Sequence, residues 1–419
     1  MEEVTITKLV NGGQGLARTA DNRVVFVWNA LPGEKVKIRL IKRKKSYSEA
    51  IAEEIVVASA ARVVPKDDQY LATSPWQIMT SEAEIQAKLA IVQELMIGEK
   101  VDISQLSINF HQSNKQWHYR NKMEYSFWGD DAGLHLAVHE RGSRYKQIVN
   151  GSSLAMASID QAATDLIRQL EKINIRAGNL KTVVIRSSQK NMIAASLYVT
   201  GGDFSHLIMP TSLAGLNVYY SNPKSPASVQ TELLHSYGLG ELSDDILGKT
   251  FTYNVDSFFQ VNIELFNQAL VIMKQLPGLD SLVDMYSGVG TIGLSLASKE
   301  AILIEVMSNE VLMAQKNAKK SALKTQVIES SAEKAIDYIP ADKTVIFDPP
   351  RAGLHLNVIK TLLDKQPPAI LYLSCNPATL ARDLKLLADK FELQSLDVFN
   401  FFPKTPHIEC LAVLKPRAL

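Results

Sequence analysis

Short segments of alternating polar and apolar residues fill the first sixty positions of the chain. Residues 35–40 (KVKIRL) alternate strictly, which is typical of a strand with one buried face. Residues 24–27 (VVFV) are rich in β-branched side chains, and residues 11–13 and 31–33 (NGG and LPG) are turn signals. Because no helical period interrupts these segments, residues 1–60 are predicted to form a small β-barrel of the type that binds oligonucleotides.

Beyond the barrel the pattern mixes helix and strand. A helix is predicted to begin at Ser81, because acidic residues follow at once and apolar residues then recur at helical spacing, namely Ile85, Leu89, Val92 and Leu95. Apolar runs at residues 182–185 and 192–199 predict strands. Residues 61–245 are therefore expected to form an α+β domain, and the helix near residues 82–97 is a candidate to pack on the next domain.

From about residue 246 apolar runs alternate with helical patterns. Four of these runs predict buried parallel strands, at residues 282–286, 301–305, 343–348 and 369–374. The alternation predicts a Rossmann-like, doubly wound α/β sheet over residues 246–419. Ligands of such sheets bind beyond the carboxyl ends of the strands. The candidate site residues at those ends are Tyr286, Glu305, Asp348 and Cys375.

Composition narrows the class of protein. With 46% hydrophobic and 21% charged residues, the 419-residue chain has ordinary globular composition, which excludes a mainly disordered or fibrous protein. No run approaches the roughly 20 apolar residues of a membrane span, and the acidic start Met1-Glu2-Glu3 lacks the basic head of a signal peptide. The two cysteines, Cys375 and Cys410, are too few for a disulfide framework or a four-thiolate metal site. We expect a cytoplasmic protein that does not enter membranes.

Charge is balanced overall but uneven along the chain. The formal net charge is +1, yet residues 35–45 carry seven basic side chains and no acid. A basic stripe on a small domain is typical of a surface that binds phosphate backbones. The alternative is a solvated edge strand, where lysines prevent aggregation.

The first strand of the predicted sheet ends in a glycine-containing loop, Asp284-Met285-Tyr286-Ser287-Gly288-Val289-Gly290. Glycine lets the backbone approach a ligand closely, and Glu305, which ends the next strand, suits ribose hydroxyls. A simple tight turn is the competing interpretation. The loop has neither the third glycine nor the lysine that bind phosphates. S-adenosylmethionine (AdoMet), which has no phosphate, is therefore the better ligand.

Two further strand ends carry reactive side chains. Asp348 is followed by Pro349-Pro350-Arg351, and the prolines fix the aspartate at the mouth of the sheet, although a rigid surface loop would look the same. Cys375 stands in Ser-Cys-Asn-Pro after the next strand. A free cysteine is more often a buried hydrophobe, and a strand-end glutamate such as Glu409 is more often solvated than catalytic. The position of Cys375 at a strand end favours the interpretation that it is a nucleophile.

These motifs in this order resemble one enzyme family. DMYSGVG, DPPRAG, SCNPATLARD and FPKTPHIE, with residues 258–262 (FFQVN) and 119–122 (YRNK), are similar to the RNA uracil-C5 methyltransferases that make 5-methyluridine in tRNA and 23S rRNA. The amino-terminal barrel resembles the TRAM domain of many members, and the resemblance extends over essentially the whole chain. It implies an AdoMet-dependent enzyme with an RNA substrate, bound by the barrel and the middle domain.

The resemblance also implies residue roles. Cys375 falls on the nucleophile and Glu409 on the base, whereas Gln260, Tyr286, Glu305 and Asp348 fall on positions that bind AdoMet. Thr291 departs from the asparagine often found in relatives. Many TRAM-bearing relatives hold an iron–sulfur cluster on four cysteines, but residues 73–76 read TSPW here. With two cysteines in the chain, neither a cluster nor another metal is expected.

The substrate implied is RNA, with 23S rRNA favoured over tRNA, and the chain is expected to act as a monomer. An amino-methyltransferase is a rival enzyme class, but its motif needs an aromatic residue where this chain has Arg351. A catalytically inactive RNA-binding or folding factor is the non-enzymatic alternative. The presence of nucleophile, base and AdoMet residues together argues against it.

Overall fold

The computed structural model describes residues 2–417. Met1 of the acidic start, and Ala418 and Leu419 at the end of the predicted third domain, lie outside the described residues. The amino-terminal part is a sheet of six strands, as the alternating pattern predicts. The strands are β1 (Glu2–Thr5), β2 (Lys8–Leu9), β3 (Gly15–Arg18), β4 (Val24–Trp28), β5 (Lys35–Arg43) and β6 (Tyr47–Val57), in the order β1-β5-β6-β4-β3-β2. The alternate side chains of β4 and β5 are buried in one small core.

Strand β5 carries the basic run, and much of its charge is paired. Lys35 forms an ion pair with Glu3 at 2.6 Å, Lys37 pairs with Glu54 at 2.8 Å, and Arg39 pairs with Glu53. Among the described residues, β1 pairs with β5 only as far as Ile38. The remaining basic residues, Lys42, Arg43, Lys44 and Lys45, are exposed and form no ion pair within residues 2–417. The predicted seven-residue stripe is thus reduced to this four-residue basic turn.

A connecting segment joins the first sheet to the rest of the chain. It contains α1 (Tyr70–Thr73), α2 (Ser81–Gly98) and the short strand β7 (Asn109–His111). Helix α2 begins where the sequence predicts, capped by the Thr80 side chain, which accepts a hydrogen bond from Ala83 N at 3.3 Å. Of the predicted apolar positions, Val92 is buried, and α2 also buries Glu84, Lys88, Ile91 and Met96. Its apolar side chains join the core of the carboxyl-terminal sheet, against α8 described below.

The middle of the chain forms a seven-stranded sheet backed by one helix. Its elements are β8 (Lys122–Asp130), β9 (Gly133–His139), β10 (Lys146–Ile148), α3 (Ala157–Lys172), a 3-10 turn (Ala177–Asn179), β11 (Leu180–Ser187), β12 (Ile193–Val199), β13 (Gly215–Tyr220) and β14 (Glu232–Gly238). The order is β10-β9-β8-β11-β12-β13-β14, and all neighbouring pairs are antiparallel except β12 with β13. Helix α3 packs its apolar face on this sheet.

The carboxyl-terminal part is the predicted Rossmann-like sheet. Its elements are β15 (Glu241–Ile246), β16 (Lys249–Asn254), α4 (Ile263–Lys274), β17 (Ser281–Met285), α5 (Thr291–Leu296), β18 (Glu300–Glu305), α6 (Ser308–Ala318), β19 (Lys324–Glu329), a 3-10 turn (Ile336–Tyr338), β20 (Thr344–Phe347), α7 (Leu356–Lys365), β21 (Ile370–Ser374), α8 (Pro377–Leu387), β22 (Phe391–Phe399) and β23 (Glu409–Pro416). The sheet order is β19-β18-β17-β20-β21-β23-β22-β7.

Strand order determines where this sheet can bind ligands. The strands from β19 to β21 are parallel, whereas β23 inserts antiparallel between β21 and β22. The order reverses at the β17–β20 boundary, which is the switch point where doubly wound sheets bind ligands. Strand β7, from the connecting segment, extends the far edge beside β22. The β15–β16 hairpin spans residue 246, the predicted start of the third domain, and contributes to the core of this sheet. The three-part division of the chain remains a prediction.

Candidate active site

One cleft of about 470 Å³ lies where the three sheets meet. The amino-terminal sheet contributes Asn11, Gly12 and Trp28; the connecting and middle segments contribute Ala72, Thr73, Pro75 and Arg141; the carboxyl-terminal part contributes Arg351, residues 375–377 and residues 405–408. Cys375 therefore lines the cleft, as does Ile408, the residue directly before Glu409. This is the size of site that takes a small ligand or one nucleotide.

Strand pairing brings Cys375 and Glu409 together. Strand β21 runs antiparallel to β23 with Ser374 opposite Cys410, so the next position along each strand places Cys375 opposite Glu409. The Glu409 side chain is 3% exposed, whereas Cys375 is partly exposed at the cleft. Asp348 follows β20, which pairs in parallel with β21 on its other side. Three side chains predicted from separate motifs thus lie at one end of adjacent strands.

Burial dominates the electrostatics of these three groups. It raises the pKa of Asp348 to about 7, and together with the Asp348 charge it raises the pKa of Glu409 well above its usual value. Burial, with the nearby charges of Glu409 and Asp348, raises the pKa of Cys375 to about 11, while Arg351 opposes that rise. The negative charge of Asp348 therefore disfavours the charged form of Glu409, in addition to the effect of burial.

Arg351 and His407 form a second pair at the cleft. An Arg351 Nη2 donor lies 3.0 Å from His407 Nδ1, and the His407 ring packs edge-on against Phe402. Burial, strengthened by the Arg351 charge, lowers the pKa of His407 to about 4. His407 is therefore neutral at physiological pH and accepts the hydrogen bond through Nδ1. Sequence reasoning missed this histidine; its place two residues before Glu409 was the available signal.

The loop that carries Arg351 is fixed to the start of α8. Asn376 Nδ2 donates to the Arg351 carbonyl at 2.9 Å, and Thr379 Oγ1 donates to the same oxygen at 3.2 Å. The Asn376 side chain also accepts from Ala378 N at 3.2 Å and so caps α8. Gly353 has φ +77°, and a Cβ added there would lie only 2.6 Å from Asp383 Oδ2. The rigid loop holds the Arg351 backbone at the edge of the cleft.

On the other side of the switch point, the β17 loop forms a backbone cradle. Tyr286, Gly288 and Gly290 all have positive φ, of 68°, 54° and 86°. Gly288 N donates to Glu305 Oε2 at 2.9 Å, while Val306 N and Met307 N donate to Glu305 Oε1 at 2.8 Å. Three backbone donors fix the carboxylate and leave acceptor capacity for a ribose hydroxyl. Glu305 thus lies where the sequence predicts.

The cradle combines an open backbone with polar groups. A Cβ added at Gly288 would face only the Phe258 carbonyl, 4.0 Å away, so the loop and Phe258 border an open slot. The hydroxyl of Ser287 is buried in this loop without a hydrogen-bond partner within residues 2–417. Gln260 Nε2 approaches Asp348 Oδ2 at 3.5 Å, so the two lie together on the Cys375 side of the switch point. Thr291 is buried at the start of α5.

The segment at residues 73–76 (TSPW) is held by packing. Trp76 is 1% exposed, and its Nε1 donates to the Gly13 carbonyl at 3.0 Å. A Cβ at Gly13 would lie 2.4 Å from Pro406. Trp76 therefore fixes a turn of the first sheet against the loop that contains His407. Within the described residues, no group of three or more His, Cys, Asp or Glu side chains could hold a metal ion. Freedom from iron remains a prediction, to be checked by iron and sulfide analysis.

Comparison with known families and proteins agrees with this architecture. Residues 340–417 match the family model of tRNA (uracil-5-)-methyltransferases, and residues 1–52 match the TRAM domain. The chain is 30% identical to an Enterococcus faecalis protein described as an uncharacterized RNA methyltransferase, over 98% of this chain and 96% of that protein. A Thermotoga maritima protein of the same description is 26% identical over 99% of both chains.

A solved structure shares the fold. It is the Pyrococcus abyssi tRNA (uracil-54, C5)-methyltransferase in complex with S-adenosyl-L-homocysteine, which superposes with a TM-score of 0.79 at 22% identity and covers 98% of this chain and 100% of its own. Within residues 2–417, no helix is both long and apolar enough to span a membrane. The chain belongs to the TRAM-bearing RNA methyltransferases of the uracil-C5 class.

Proposed function

We propose that this enzyme methylates C5 of a uridine in RNA through a covalent bond between Cys375 and C6 of the uracil. The observation that carries the proposal is the pairing of β21 with β23, which sets Cys375 opposite Glu409 at the cleft. The arrangement provides a nucleophile and a base on neighbouring strands. Gln260, Tyr286, Glu305 and Asp348 are the residues proposed to bind AdoMet.

Uracil C5 is too weak a nucleophile to react unaided. When the Cys375 sulfur bonds to C6, the C5–C6 electron pair moves toward C5 and O4 and makes C5 nucleophilic. AdoMet, when bound, supplies an electrophilic methyl group. A thiolate suits the first step because it adds readily and leaves readily. Since burial opposes the thiolate, the positive charge of Arg351 is the local group that favours it.

Glu409 is proposed to complete the reaction. The methylated C5 still carries its proton, and Glu409 takes that proton so that the C5–C6 double bond re-forms and the sulfur leaves. A carboxylate whose pKa is raised by burial and by Asp348 is a stronger base in its charged form. Asp348 is proposed to orient the cofactor or the uracil, and its hydrogen bond from Gln260 keeps it at the strand end.

The substrate must present an unpaired uridine. A cleft of about 470 Å³ accepts one nucleotide but not a duplex, so the uridine must leave its stack, which costs a few kcal/mol. Loops and distorted helices of RNA are therefore the expected substrates. The resemblance to 23S rRNA enzymes favours rRNA, which we propose first. The similarity in fold to an enzyme acting on tRNA uracil-54 makes tRNA the alternative.

One experiment tests both the reaction and the RNA class. RNA from cells deleted for this gene is incubated with the protein and methyl-labelled AdoMet, separated into rRNA and tRNA, and analysed for 5-methyluridine. We expect labelled 5-methyluridine at one or a few mapped positions, in 23S rRNA. Label confined to tRNA would select the alternative substrate. Label in any other nucleoside would overturn uracil-C5 chemistry for this chain.

A second experiment tests the covalent step. Fluorine at C5 cannot be removed as a proton, so RNA containing 5-fluorouridine should remain bonded to the wild-type protein after denaturation. Cys375→Ala should form no such adduct. Glu409→Gln should accumulate an adduct even with ordinary RNA, because the C5 proton stays in place. A non-enzymatic RNA-binding factor would yield no adduct in any of these mixtures.

A further inference from the structure

Two cleft residues have no part in the chemistry proposed for Cys375 and Glu409. Trp28 ends β4 of the TRAM domain, and Arg141 lies just beyond β9 of the middle sheet. The guanidinium carbon of Arg141 lies 3.9 Å from the centre of a Trp28 ring. Both side chains are partly exposed and line the same cleft as Cys375. They form an aromatic and cationic pair beside the reactive thiol.

This pair is held in place by its neighbours. Asn29, directly after Trp28, has φ +60°, and its side chain donates to the Ala52 carbonyl at 3.0 Å and accepts from Tyr70 Oη at 2.9 Å. Arg141 Nε donates to the Leu71 carbonyl at 2.6 Å. Within residues 2–417 its Nη1 has no protein acceptor, so that nitrogen is free to bind a ligand. Side chains fixed before binding lose little entropy when a ligand arrives.

The pair is also continuous with the basic turn of the TRAM domain. Gly142, the residue after Arg141, packs on the Ile41 side chain, which lies 2.8 Å from where a Cβ would stand. Ile41 directly precedes Lys42, the first residue of the basic turn. Arg144, which lies with Arg141 between β9 and β10, is also exposed. A polyanion that leaves the cleft past Trp28 therefore meets a series of positive charges that form no ion pair within residues 2–417.

We propose that Trp28 and Arg141 form a subsite for a nucleotide adjacent to the target uridine in the same RNA strand. The base of that nucleotide stacks against the exposed part of the Trp28–Arg141 pair, and Arg141 Nη1 donates hydrogen bonds to its phosphate. Aromatic rings bind bases of any sequence, and guanidinium groups bind phosphate oxygens. The inference rests on the proposed function, since it takes the uridine to lie at Cys375.

The test compares kcat/KM on an RNA stem–loop that contains the mapped uridine with the same RNA lacking one neighbouring base. For the wild-type protein, removing the stacked base should lower kcat/KM roughly 5- to 150-fold, the range of base–aromatic stacking. Trp28→Ala should lose a similar factor on intact RNA, mainly through KM, and lose little more on the abasic RNA. Trp28→Phe should retain most of the activity.

Controls separate the subsite from folding and from the proposed function. Trp128→Ala, which removes an exposed tryptophan of β8 outside the cleft, should match the wild type. Arg141→Gln should raise KM and reduce the salt dependence of binding, whereas Arg141→Lys should recover part of both. Wild-type activity that changes less than twofold when either neighbouring base is removed would overturn the subsite, even if Trp28→Ala were unstable. A wild-type protein that methylates no uridine would instead overturn the proposed function.

Discussion

The two sides of the switch point are built in different ways. On the side of the β17 loop, which carries two of the four residues proposed to bind AdoMet, residues 284–307 supply a continuous loop and strand, and hydrogen bonds join backbone N–H groups to Asp284 and Glu305. On the nucleotide side, the cleft is assembled from the TRAM domain, the middle sheet and three separate loops. The first side depends on local backbone geometry, whereas the second depends on how distant segments pack. Variants should therefore separate cofactor binding from nucleotide chemistry.

The largest expected effect is the complete loss of methyl transfer in Cys375→Ala, with AdoMet affinity within about twofold of wild type, because a nucleophile has no substitute in the cleft. Glu305→Ala should have the opposite effect. It should weaken AdoMet binding at least tenfold, while Cys375 still reacts with iodoacetamide. Equilibrium AdoMet binding and mass spectrometry of the alkylated protein measure these. Cys410→Ala, in the core beside Glu409, is the control and should retain activity. Loss of AdoMet binding in Cys375→Ala would place that residue in the cofactor pocket.

The next effect concerns the buried polar cluster that holds residues 400–404, in the loop between β22 and β23. Glu84 lies 3.0 Å from Lys88 and accepts from Lys404 N at 3.0 Å, and Lys88 donates to Asn400 at 2.6 Å. Glu84→Ala leaves two buried lysines without a carboxylate, so we expect a loss of about 3–5 kcal/mol in unfolding free energy. Urea denaturation measures it.

The control for Glu84→Ala is Glu94→Ala, because Glu94 lies on the same helix but is exposed and pairs with Lys8. This substitution should lower the unfolding free energy by less than about 1 kcal/mol. Equal losses from the two substitutions would mean that the cluster does not hold the loop.

The pH dependence of Cys375 alkylation tests the electrostatic environment of the nucleotide side, where burial and nearby carboxylates raise the pKa of the thiol. Because its pKa is raised to about 11, only a small fraction is thiolate at neutral pH, and the rate should rise about tenfold per pH unit from pH 7 to 10. Glu409→Gln removes a negative neighbour and should speed alkylation at a given pH, whereas Arg351→Ala should slow it. Buried Cys410 should react only in denaturant. A rate that levels off below pH 9 would contradict the raised pKa.

The smallest effect tests the outer edge of the nucleotide side. Replacing Lys42, Arg43, Lys44 and Lys45 by Gln should weaken RNA binding and reduce the log–log salt slope by roughly 0.7 to 0.9 for each RNA phosphate that these side chains neutralise in the wild type. Lys35→Gln combined with Lys37→Gln, whose side chains are already paired with acids, is the matched control and should change the slope less. Filter binding over a salt series measures both. Equal slopes for wild type and the four-site variant would identify the turn as solvated surface.

Sequence patterns predicted the elements well where local periodicity reflects burial. The strands that end at Met285, Glu305, Phe347 and Ser374 lie within one residue of the predicted ends, because continuous apolar runs mark strands buried on both faces. The helix from Ser81 was predicted in place, but the burial of two of its charged residues was not. Its charged Glu84 and Lys88 are buried, since their partners come from the loop of residues 400–404, far along the chain.

By itself, the sequence determined the Rossmann-like sheet, the loop at Gly288 and the motif around Cys375, because each is encoded within a short stretch whose residues constrain their own backbone. Only the tertiary structure decided that His407 accepts from Arg351, that acids neutralise part of the basic run, and that Trp28 lies under Arg141 at the mouth of the cleft. These contacts join segments distant in sequence. Their geometry depends on how three sheets pack together, which no local period or propensity specifies.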